Sequence, residues 1–332
     1  MPYNNEPESN KNALDLSVVL PVYNEEENVG IVYEEITGVL SKQSYRYEIV
    51  FVDDGSSDKT LEKLKKIQAD DDNVVVVAFR RNFGQTAAMS AGFDTASGDV
   101  IVTMDADQQN DPADIPTLLD KIDEGYDLVS GWRHNRQDGF LLRRLPSQIA
   151  NRVISFATDV KLHDYGCTLK AFKLDVAKQL SLYGEMHRFI PAIASWMGVS
   201  IAEVKVNHRP RVLGTSKYGI SRTFRVILDL ITVKFLLSYS TRPIQFFGSI
   251  GMACGALGFL MSVYVTIQRL FYNIPLGDRP ILLLAVLLMF IGLQFITVGL
   301  LAEMQIRTYH ESQHKPIYVI RNIYSSRPVV TS

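Results

Sequence analysis

Two long stretches without charged residues constrain this chain of 332 residues more than any other feature. Residues 243–268 and residues 281–302 contain no Asp, Glu, Lys or Arg. The second stretch has 22 residues, which form about 33 Å of helix at ~1.5 Å per residue, and the hydrocarbon core of a bilayer is ~30 Å thick. We therefore predict two transmembrane helices within residues 241–304.

The flanking residues predict how the two helices are oriented. The N-terminus has no apolar segment of signal-peptide length, and residues 1–12 have the composition of a disordered tail. Lys and Arg are more frequent outside the pair than in the linker 269–280. Both outer ends, with the N-terminal domain and a C-terminal tail at residues 305–332, are therefore expected in the cytoplasm, at the inner (plasma) membrane.

Two further features concern the membrane region. Residues 220–240 have apolar residues largely on one helical face, which predicts an amphipathic helix in the membrane interface; a core helix of the soluble domain is the alternative. Gly251 and Gly255 stand four residues apart in the first apolar stretch. Small residues at this spacing permit close helix packing, either within the pair or between copies, and we expect a homo-oligomer.

Residues 13–219 alternate between short apolar runs and helical patterns. Apolar runs rich in β-branched residues are typical of strands that are buried on both faces. The alternation predicts an α/β domain, Rossmann-like, with a mainly parallel sheet between helices. The predicted strands are residues 16–21, 47–52, 73–79, 99–104, 127–131 and 199–207, and the predicted helices are roughly 25–41, 57–69, 84–97, 114–124, 140–158 and 173–197.

Acidic pairs follow two of these strands. Asp53 and Asp54 end the second strand, and Asp105 and Asp107 end the fourth. In an open α/β sheet, ligands bind outside the carboxyl ends of the strands, so both pairs are expected at one crevice. Neighbouring carboxylates repel one another, and a cation relieves that repulsion. Mg²⁺ or Mn²⁺ bridging a diphosphate suits these oxygen ligands.

The same residues resemble those of a known family. The segments LPVYNEE at 20–26, VDDGSSDKT at 52–60 and DAD at 105–107 are similar to those of the family 2 glycosyltransferases with a GT-A fold. The branch that this chain resembles contains dolichol-phosphate mannose synthase and the bactoprenol glucosyltransferases. The resemblance runs through most of residues 16–220, and the bacterial members also have two C-terminal spans.

The resemblance implies roles for particular residues. In the donor site, Pro21, Tyr23, Glu25, Val52 and Asp54 hold the nucleoside, with Asp53 beside them, and Asp105 and Asp107 bind the metal and diphosphate, next to Ala106 and Gln109. The resemblance places Arg211 and Lys217 in a loop that closes on the donor diphosphate, and it assigns Arg143 and Ser147 to the acceptor phosphate.

Further charged residues complete the predicted site. Arg133 follows the strand 127–131 at the edge of the crevice and is expected to contact the donor, because Arg forms forked contacts with phosphate. Lys170 stands where many relatives have Arg and is expected near the acceptor phosphate. Asp164 is the candidate catalytic carboxylate together with Asp107. Because a phosphate acceptor is already an anion, Asp164 either acts as a base or orients Lys170 or Arg188.

These features predict an inverting transferase with a nucleotide-sugar donor and a polyprenyl (undecaprenyl) phosphate acceptor. Absence of a Q-x-x-R-W segment favours transfer of one sugar over polymerisation. Glucose from UDP-glucose is the expected donor because the two-span layout resembles bacterial glucosyltransferases, with GDP-mannose or another nucleotide sugar as alternatives. A non-catalytic membrane scaffold that binds sugar nucleotides is the competing class. The net charge of −2 is not that of a nucleic-acid binder.

Overall fold

The structure is a computed structural model, which describes residues 14–134, 160, 162–180, 182, 186–210, 243–272, 275, 280–312 and 317–328. The chain divides into two compact units. One consists of Met1–Leu230 and Pro316–Ser332, and the other of Ile231–Lys315. The predictions for residues 1–12, 140–158 and 220–240, and those for Arg143, Ser147, Arg211 and Lys217, lie outside the described residues.

A mixed sheet forms the centre of the first unit. In the described residues it has eight strands in the order β7-β5-β6-β4-β1-β2-β3-β8. Strand β1 pairs in parallel with β2 and β4, β2 with β3, and β5 with β7, whereas β6 and β8 run antiparallel to their neighbours. The strands are β1 (Leu14–Val22), β2 (Tyr47–Asp53), β3 (Val74–Phe79), β4 (Gly98–Thr103), β5 (Leu128–Arg133), β6 (Lys170–Lys173), β7 (Ile201–Val206) and β8 (Ile320–Tyr324). The predicted α/β class with a mainly parallel sheet is confirmed.

Helices connect the strands and cover the sheet. The run Val74–Phe79 is buried along its whole length, as expected for a strand covered on both faces. On α1, Val32, Ile36 and Leu40 recur at a spacing of four and are buried against the sheet. Within the part of this unit that the structure describes, the helices are α1 (Val29–Leu40), α2 (Thr60–Asp70), α3 (Gln85–Thr95), α4 (Ile115–Asp123), α5 (Leu174–Gln179) and α6 (Ile190–Trp196), with short 3₁₀ turns at Pro112–Asp114 and Met186–Phe189.

The C-terminal segment differs from its prediction as a tail. Residues Ile320–Tyr324 form β8, which pairs antiparallel with β3 at the edge of the sheet. Just before β8, the Tyr318 hydroxyl donates to Asp94 Oδ2 at 2.6 Å and its ring stacks on Phe79. Pairing with β8 covers a strand edge that would otherwise expose unpaired backbone groups.

The second unit contains two long helices, α7 (Pro243–Tyr272) and α8 (Pro280–Ser312). Within them, Phe247–Tyr272 and Pro280–Leu301 are long and apolar enough to cross a membrane. A side chain at Gly251 would collide with the Gly292 carbonyl oxygen, and one at Gly258 with that of Ala285. The small residues of the first stretch therefore make close contacts inside this pair, while the predicted self-association stays a prediction.

Candidate active site

The candidate site lies where the strand order reverses. Strand β1 is flanked by β2 on one side and β4 on the other, and the chain leaves β1 towards β2 and β3 before it returns to β4. At such a point the loops after neighbouring parallel strands separate and leave a crevice. The loops after β1, β2 and β4 carry the three segments that the sequence singled out.

The loop after β1 is bound to the loop after β2. Asn24 has a positive φ of 51°, and its backbone N–H donates to Ser56 Oγ at 2.9 Å. In return, the Ser57 N–H donates to Asn24 Oδ1 at 2.8 Å. The Glu25 N–H donates to Thr60 Oγ1 at 2.9 Å. These reciprocal contacts hold the two predicted nucleoside-binding loops as one surface.

The other predicted nucleoside residues differ in their exposure. Pro21 and Val52 are neighbours in register across β1 and β2. The Val52 side chain is fully buried, so only its backbone can face a ligand, whereas Pro21 and Tyr23 are half-buried. Asp53 is buried, accepts a hydrogen bond from the Ser56 N–H at 3.3 Å, and has a pKa that burial raises above its usual value.

Asp54 is bound by the backbone of another loop. Its Oδ1 accepts from the Phe83 N–H at 2.6 Å and its Oδ2 from the Gly84 N–H at 2.9 Å. Burial raises the pKa of Asp54, and these two N–H groups oppose that effect because they favour the charged form. The Asp54 carboxylate therefore stabilises the conformation of the loop between β3 and α3.

Asp105 is held from both sides at the end of β4. Gln85 Nε2 donates to its Oδ1 at 2.8 Å, and the Thr168 hydroxyl lies 2.8 Å from its Oδ2. The Asp105 N–H donates to Asn110 Oδ1 at 3.0 Å. Burial, followed by the charge of Asp107, raises the pKa of Asp105 to about 6. The site therefore holds a carboxylate whose negative charge is destabilised until a cation compensates it.

The turn after Asp105 is fixed by side chains. Gln108 has a positive φ of 62°, and its Nε2 donates to Asn28 Oδ1 at 2.6 Å. Asn28 in turn donates to Glu25 Oε2 at 2.6 Å, which connects the loop after β4 to the loop after β1. The Gln109 N–H donates to Asp107 Oδ1 at 3.2 Å. Ala106 is buried under this turn.

The donor atoms of the site suit a hard divalent cation. Asp105 and Asp107 offer carboxylate oxygens, and their mutual repulsion is the cost that such an ion would remove. Among the residues that the structure describes, no three His, Cys, Asp or Glu side chains converge as a metal cage. Few protein ligands are typical of Mg²⁺ sites, where phosphate oxygens and water complete the coordination. Asp53 and Asp54 do not join Asp105 and Asp107 in such a cluster.

Arg133 and Asp164 form a bidentate ion pair beside this centre. Arg133 Nε lies 2.7 Å from Asp164 Oδ2, and Arg133 Nη2 lies 2.9 Å from Asp164 Oδ1. The side chains are 15% and 3% exposed, and Asp164 raises the pKa of the guanidinium against the effect of burial. Gly166 leaves room for the pair, because a Cβ there would lie 3.2 Å from Arg133 Nη2. Asp164 therefore orients Arg133, a partner that the sequence did not indicate.

Lys170 is buried at the start of β6. Its ammonium group is buried and donates to the Cys167 carbonyl and to the Tyr165 carbonyl, the latter at 3.4 Å. Burial lowers its pKa. In this position Lys170 holds the segment between Asp164 and β6, and its place near the acceptor phosphate stays a prediction.

Sequence reasoning missed three polar residues of the site. Gln85, Asn110 and Thr168 contact Asp105 from three different segments. Thr168 and Asn110 also lie within 3.0 Å of one another. The only sequence signal was their closeness to motifs, since Asn110 follows Gln109 and Thr168 follows the Asp164 segment.

A mainly parallel α/β sheet with an acidic centre beyond β1 and β4 is the arrangement of the GT-A fold. Solved structures show this fold. Mannosyl-3-phosphoglycerate synthase from Rubrobacter xylanophilus matches with a TM-score of 0.54 at 18% identity, over 67% of this chain and 74% of that chain. Glucosyl-3-phosphoglycerate synthase from Mycobacterium tuberculosis, in complex with Mn²⁺ and UDP-glucose, matches with a TM-score of 0.52 at 19% identity, over 67% and 79%.

Sequence comparisons identify the family. The model of glycosyl transferase family 2 matches residues 17–181. The chain is 46% identical over 319 residues to dodecaprenyl-phosphate galacturonate synthase of Rhizobium johnstonii, covering 95% of this chain and 94% of the relative. It is 37% identical over 315 residues to undecaprenyl-phosphate 4-deoxy-4-formamido-L-arabinose transferase of Pseudomonas fluorescens, covering 94% and 91%. The chain belongs to glycosyltransferase family 2, within its polyprenyl-phosphate sugar transferases.

Proposed function

We propose that this glycosyltransferase moves one sugar from a nucleoside diphosphate donor to a polyprenyl phosphate. The observation that carries the proposal is the 46% identity to a dodecaprenyl-phosphate galacturonate synthase over 95% of the chain. A match of this length includes the two apolar helices as well as the catalytic domain, so it bears on the lipid acceptor and not only on the fold.

The comparisons change the expected donor sugar. The two relatives are named for galacturonate and for 4-deoxy-4-formamido-L-arabinose, and neither name contains glucose. We therefore propose galacturonate as the first candidate for the transferred sugar, in place of glucose. The formamido pentose ranks second because its relative is less similar.

Asp105 and Asp107 would hold Mg²⁺ or Mn²⁺ at the donor diphosphate. When bound, such an ion neutralises the negative charge that develops on the departing nucleoside diphosphate. The structurally similar enzyme from Mycobacterium tuberculosis was solved with Mn²⁺ and a nucleotide sugar, which supports a divalent ion. Gln85 and Thr168 each contact one oxygen of Asp105 and so fix the orientation of its carboxylate.

The acceptor chemistry needs no general base from the protein. A phosphate monoester is an anion at neutral pH, so its oxygen can attack the anomeric carbon directly while the bond to the donor diphosphate breaks. Attack from the opposite side inverts that carbon. Asp164, whose two oxygens both accept from one edge of the Arg133 guanidinium, fits a positioning role better than proton abstraction. The expected contact between Arg133 and the donor phosphates stays part of the proposal, with Asp164 holding the guanidinium in place.

The fold supports a two-pass arrangement in the inner membrane. Strands from residues 14–206 and β8 from the C-terminal segment belong to one sheet, so the chain before α7 and the chain after α8 lie in the same unit. If α7 and α8 cross the bilayer, both outer ends are then on one side. The excess of Lys and Arg outside the pair favours the cytoplasm for that side.

A donor screen tests the proposed function. Purified full-length protein with Mn²⁺ or Mg²⁺ and undecaprenyl phosphate is given UDP-galacturonic acid, UDP-glucose, GDP-mannose or UDP-4-deoxy-4-formamido-L-arabinose, and lipid products are identified by mass spectrometry. We expect one lipid-linked monosaccharide, with UDP-galacturonic acid as the best donor of the four. No lipid-linked sugar from any donor would contradict transfer and favour a non-catalytic binding protein. Products with several sugars would contradict single transfer.

A further inference from the structure

Two buried amides connect the two halves of the candidate donor site. One half is residues 105–109, called the metal turn, and the other is residues 23–28, called the nucleoside loop. Gln108 of the metal turn donates from Nε2 to Asn28 Oδ1 at 2.6 Å, and Asn28 donates from Nδ2 to Glu25 Oε2 at 2.6 Å. Gln108 is 9% exposed and Asn28 is 2% exposed, so the two amides rely on one another for hydrogen bonds.

The Glu25 carboxylate fixes the direction of this series of hydrogen bonds. A carboxylate only accepts hydrogen bonds, so Asn28 has to turn its NH2 group towards Glu25. The Asn28 carbonyl oxygen then faces Gln108, which has to offer its own NH2 group. Reversal of either amide would bring two donors or two acceptors together. The series therefore specifies one relative arrangement of the metal turn and the nucleoside loop.

The backbone at Gln108 depends on this contact. Gln108 has a φ of 62°, in the left-handed region, which is uncommon for a residue with a side chain. Such a conformation costs energy and persists where the surrounding contacts hold it. Gln108 lies between Asp107 and Gln109, and the Gln109 N–H donates to Asp107 Oδ1 at 3.2 Å. The amide contact therefore helps to set the course of the chain directly after Asp107.

The Glu25 side chain depends on the other end of the series. The Glu25 N–H donates to Thr60 Oγ1 at 2.9 Å, and the Glu25 carbonyl oxygen accepts from the N–H groups of Asn28 at 2.9 Å and Val29 at 3.1 Å. The Asn28 amide holds one oxygen of the Glu25 carboxylate. A displaced Asn28 side chain would therefore release that oxygen and loosen the hydrogen bonds at the start of α1.

We propose that Asn28 and Gln108 are positioning residues that couple the two halves of the donor site. An ion at the metal turn then improves binding of the nucleoside, and a bound nucleoside improves binding of the ion by the same factor, because coupling between two binding sites is mutual. The inference rests on the proposed function, because it takes Glu25 as a nucleoside contact and Asp107 as a ligand of the ion. This path through the protein acts in addition to the direct contact between the ion and the diphosphate.

The factor by which saturating Mn²⁺ raises the affinity for UDP measures this coupling. The factor is compared among full-length wild type, Gln108→Met, Asn28→Leu and the double variant, in which the side chains keep their approximate size and lose the amide. Gln68→Met is the matched control, because the Gln68 amide donates to Ser326 Oγ at 3.1 Å and to neither half of the site. We expect each single variant to lower the factor about 5-fold or more, and the control to leave it unchanged. Because both changes break one series, the double variant should lie within about twofold of the more affected single variant.

A direct contact with the donor would give a different result. If Gln108 or Asn28 only touched UDP, its loss would lower the affinity equally with and without Mn²⁺, and the factor would keep its wild-type value. That result, or losses that add in full in the double variant, overturns the proposal. Gln108→Gly, which suits the left-handed backbone, decides if the other variants do not fold, and a wild-type factor in Gln108→Gly also overturns the proposal.

Hydrogen exchange without ligands tests the connection itself. Gln108→Met should speed exchange at the backbone amides of Asn28 and Val29, and Gln68→Met should leave it unchanged. Unchanged exchange in Gln108→Met contradicts the connection between the metal turn and the nucleoside loop and overturns the proposal. A wild-type protein that binds no UDP with or without Mn²⁺, in which Gln108→Met still speeds this exchange, contradicts the proposed function and supports the connection.

Discussion

Tyr318 connects the C-terminal strand to the loop that holds the site. Its hydroxyl donates to Asp94 at 2.6 Å, and its ring stacks on Phe79 with 5.2 Å between centroids. Phe79 in turn contacts Phe83 edge-on at 5.7 Å. The Arg80 N–H donates to the Val319 carbonyl at 3.1 Å. We expect changes at Tyr318 to weaken both the sheet edge and the loop that follows β3.

The size of the effect follows from the contacts that each variant loses. Tyr318→Phe removes one hydrogen bond to a partly exposed carboxylate, which we expect to lower the free energy of unfolding by about 1 kcal/mol. Tyr318→Ala also removes a ring that is 9% exposed, and large-to-small changes of buried aromatic residues cost ~3–5 kcal/mol. We take about 3 kcal/mol because an edge strand can relax, which corresponds to roughly 6–12 °C in Tm for a domain of 150–250 residues.

Thermal unfolding and hydrogen exchange of the detergent-solubilised chain measure this prediction. Tyr318→Ala should lower Tm in that range and speed exchange in Val74–Phe79 and in the following loop. Ile317→Ala is the control, because Ile317 is adjacent and 40% exposed, and its effect should stay within about 0.5 kcal/mol. If Tyr318→Ala and Ile317→Ala behave alike and exchange in β3 is unchanged, the strand pairing of β8 is refuted.

Four further predictions concern the metal site and the helical pair. Asp107→Ala should abolish sugar transfer and leave Tm within a few degrees of wild type, and retained turnover would exclude Asp107 as a metal ligand. Because the pKa of Asp105 is about 6 in the folded protein, Mn²⁺-dependent UDP binding should weaken about tenfold per pH unit below pH 6 as protons compete with the ion; equal affinity at pH 5 and 7 would contradict the raised pKa. The raised pKa also affects stability. The free energy of unfolding measured without metal should fall as the pH rises from about 4 to 6, because the folded state binds the Asp105 proton more tightly than the unfolded state does. Gly292→Leu should separate α7 from α8, because a side chain there meets the Gly251 carbonyl oxygen at 2.6 Å; cross-linking between cysteines placed on the two helices should fall, and unchanged cross-linking would argue against this packing.

The apolar runs predicted most of the sheet, because buried parallel strands have a strong local signal. Strand β3 is buried along all of Val74–Phe79, and its boundaries follow the run VVVVAF. The position of the acidic residues directly after such runs also predicted that the loops after β2 and β4 share one edge. Both inferences depend on short-range pattern and on a general rule for parallel sheets.

Strands β6 and β8 were missed because little in their local sequence marks them. β6 has four residues and was not predicted as a strand, and the predicted helix 173–197 begins at its last residue. β8 has the sequence IRNIY and forms by pairing with β3, some 245 positions away in the chain. Pairing over such a distance depends on the completed sheet, and no local periodicity reports it.

The polar contacts within the site were predictable only in part. Gln85 and Asp105 are 20 residues apart and meet because Gly84 turns the chain at the start of α3. Arg133 and Asp164 were each singled out, but their pairing depends on the loop before β6. The Gly251 spacing indicated close helix contact without naming the partner helix. The expectation of glucose came from the two-span layout, which bears on the membrane and the lipid acceptor and carries no information about the sugar.

Anomalous scattering from manganese in crystals of the full-length protein with Mn²⁺ and UDP tests the central claim most directly. The account predicts one strong peak within coordination distance, about 2.0–2.3 Å, of carboxylate oxygens of Asp105 or Asp107 and of the UDP diphosphate. UDP bound in the crevice with manganese absent from it, or with manganese on other side chains, would contradict the account.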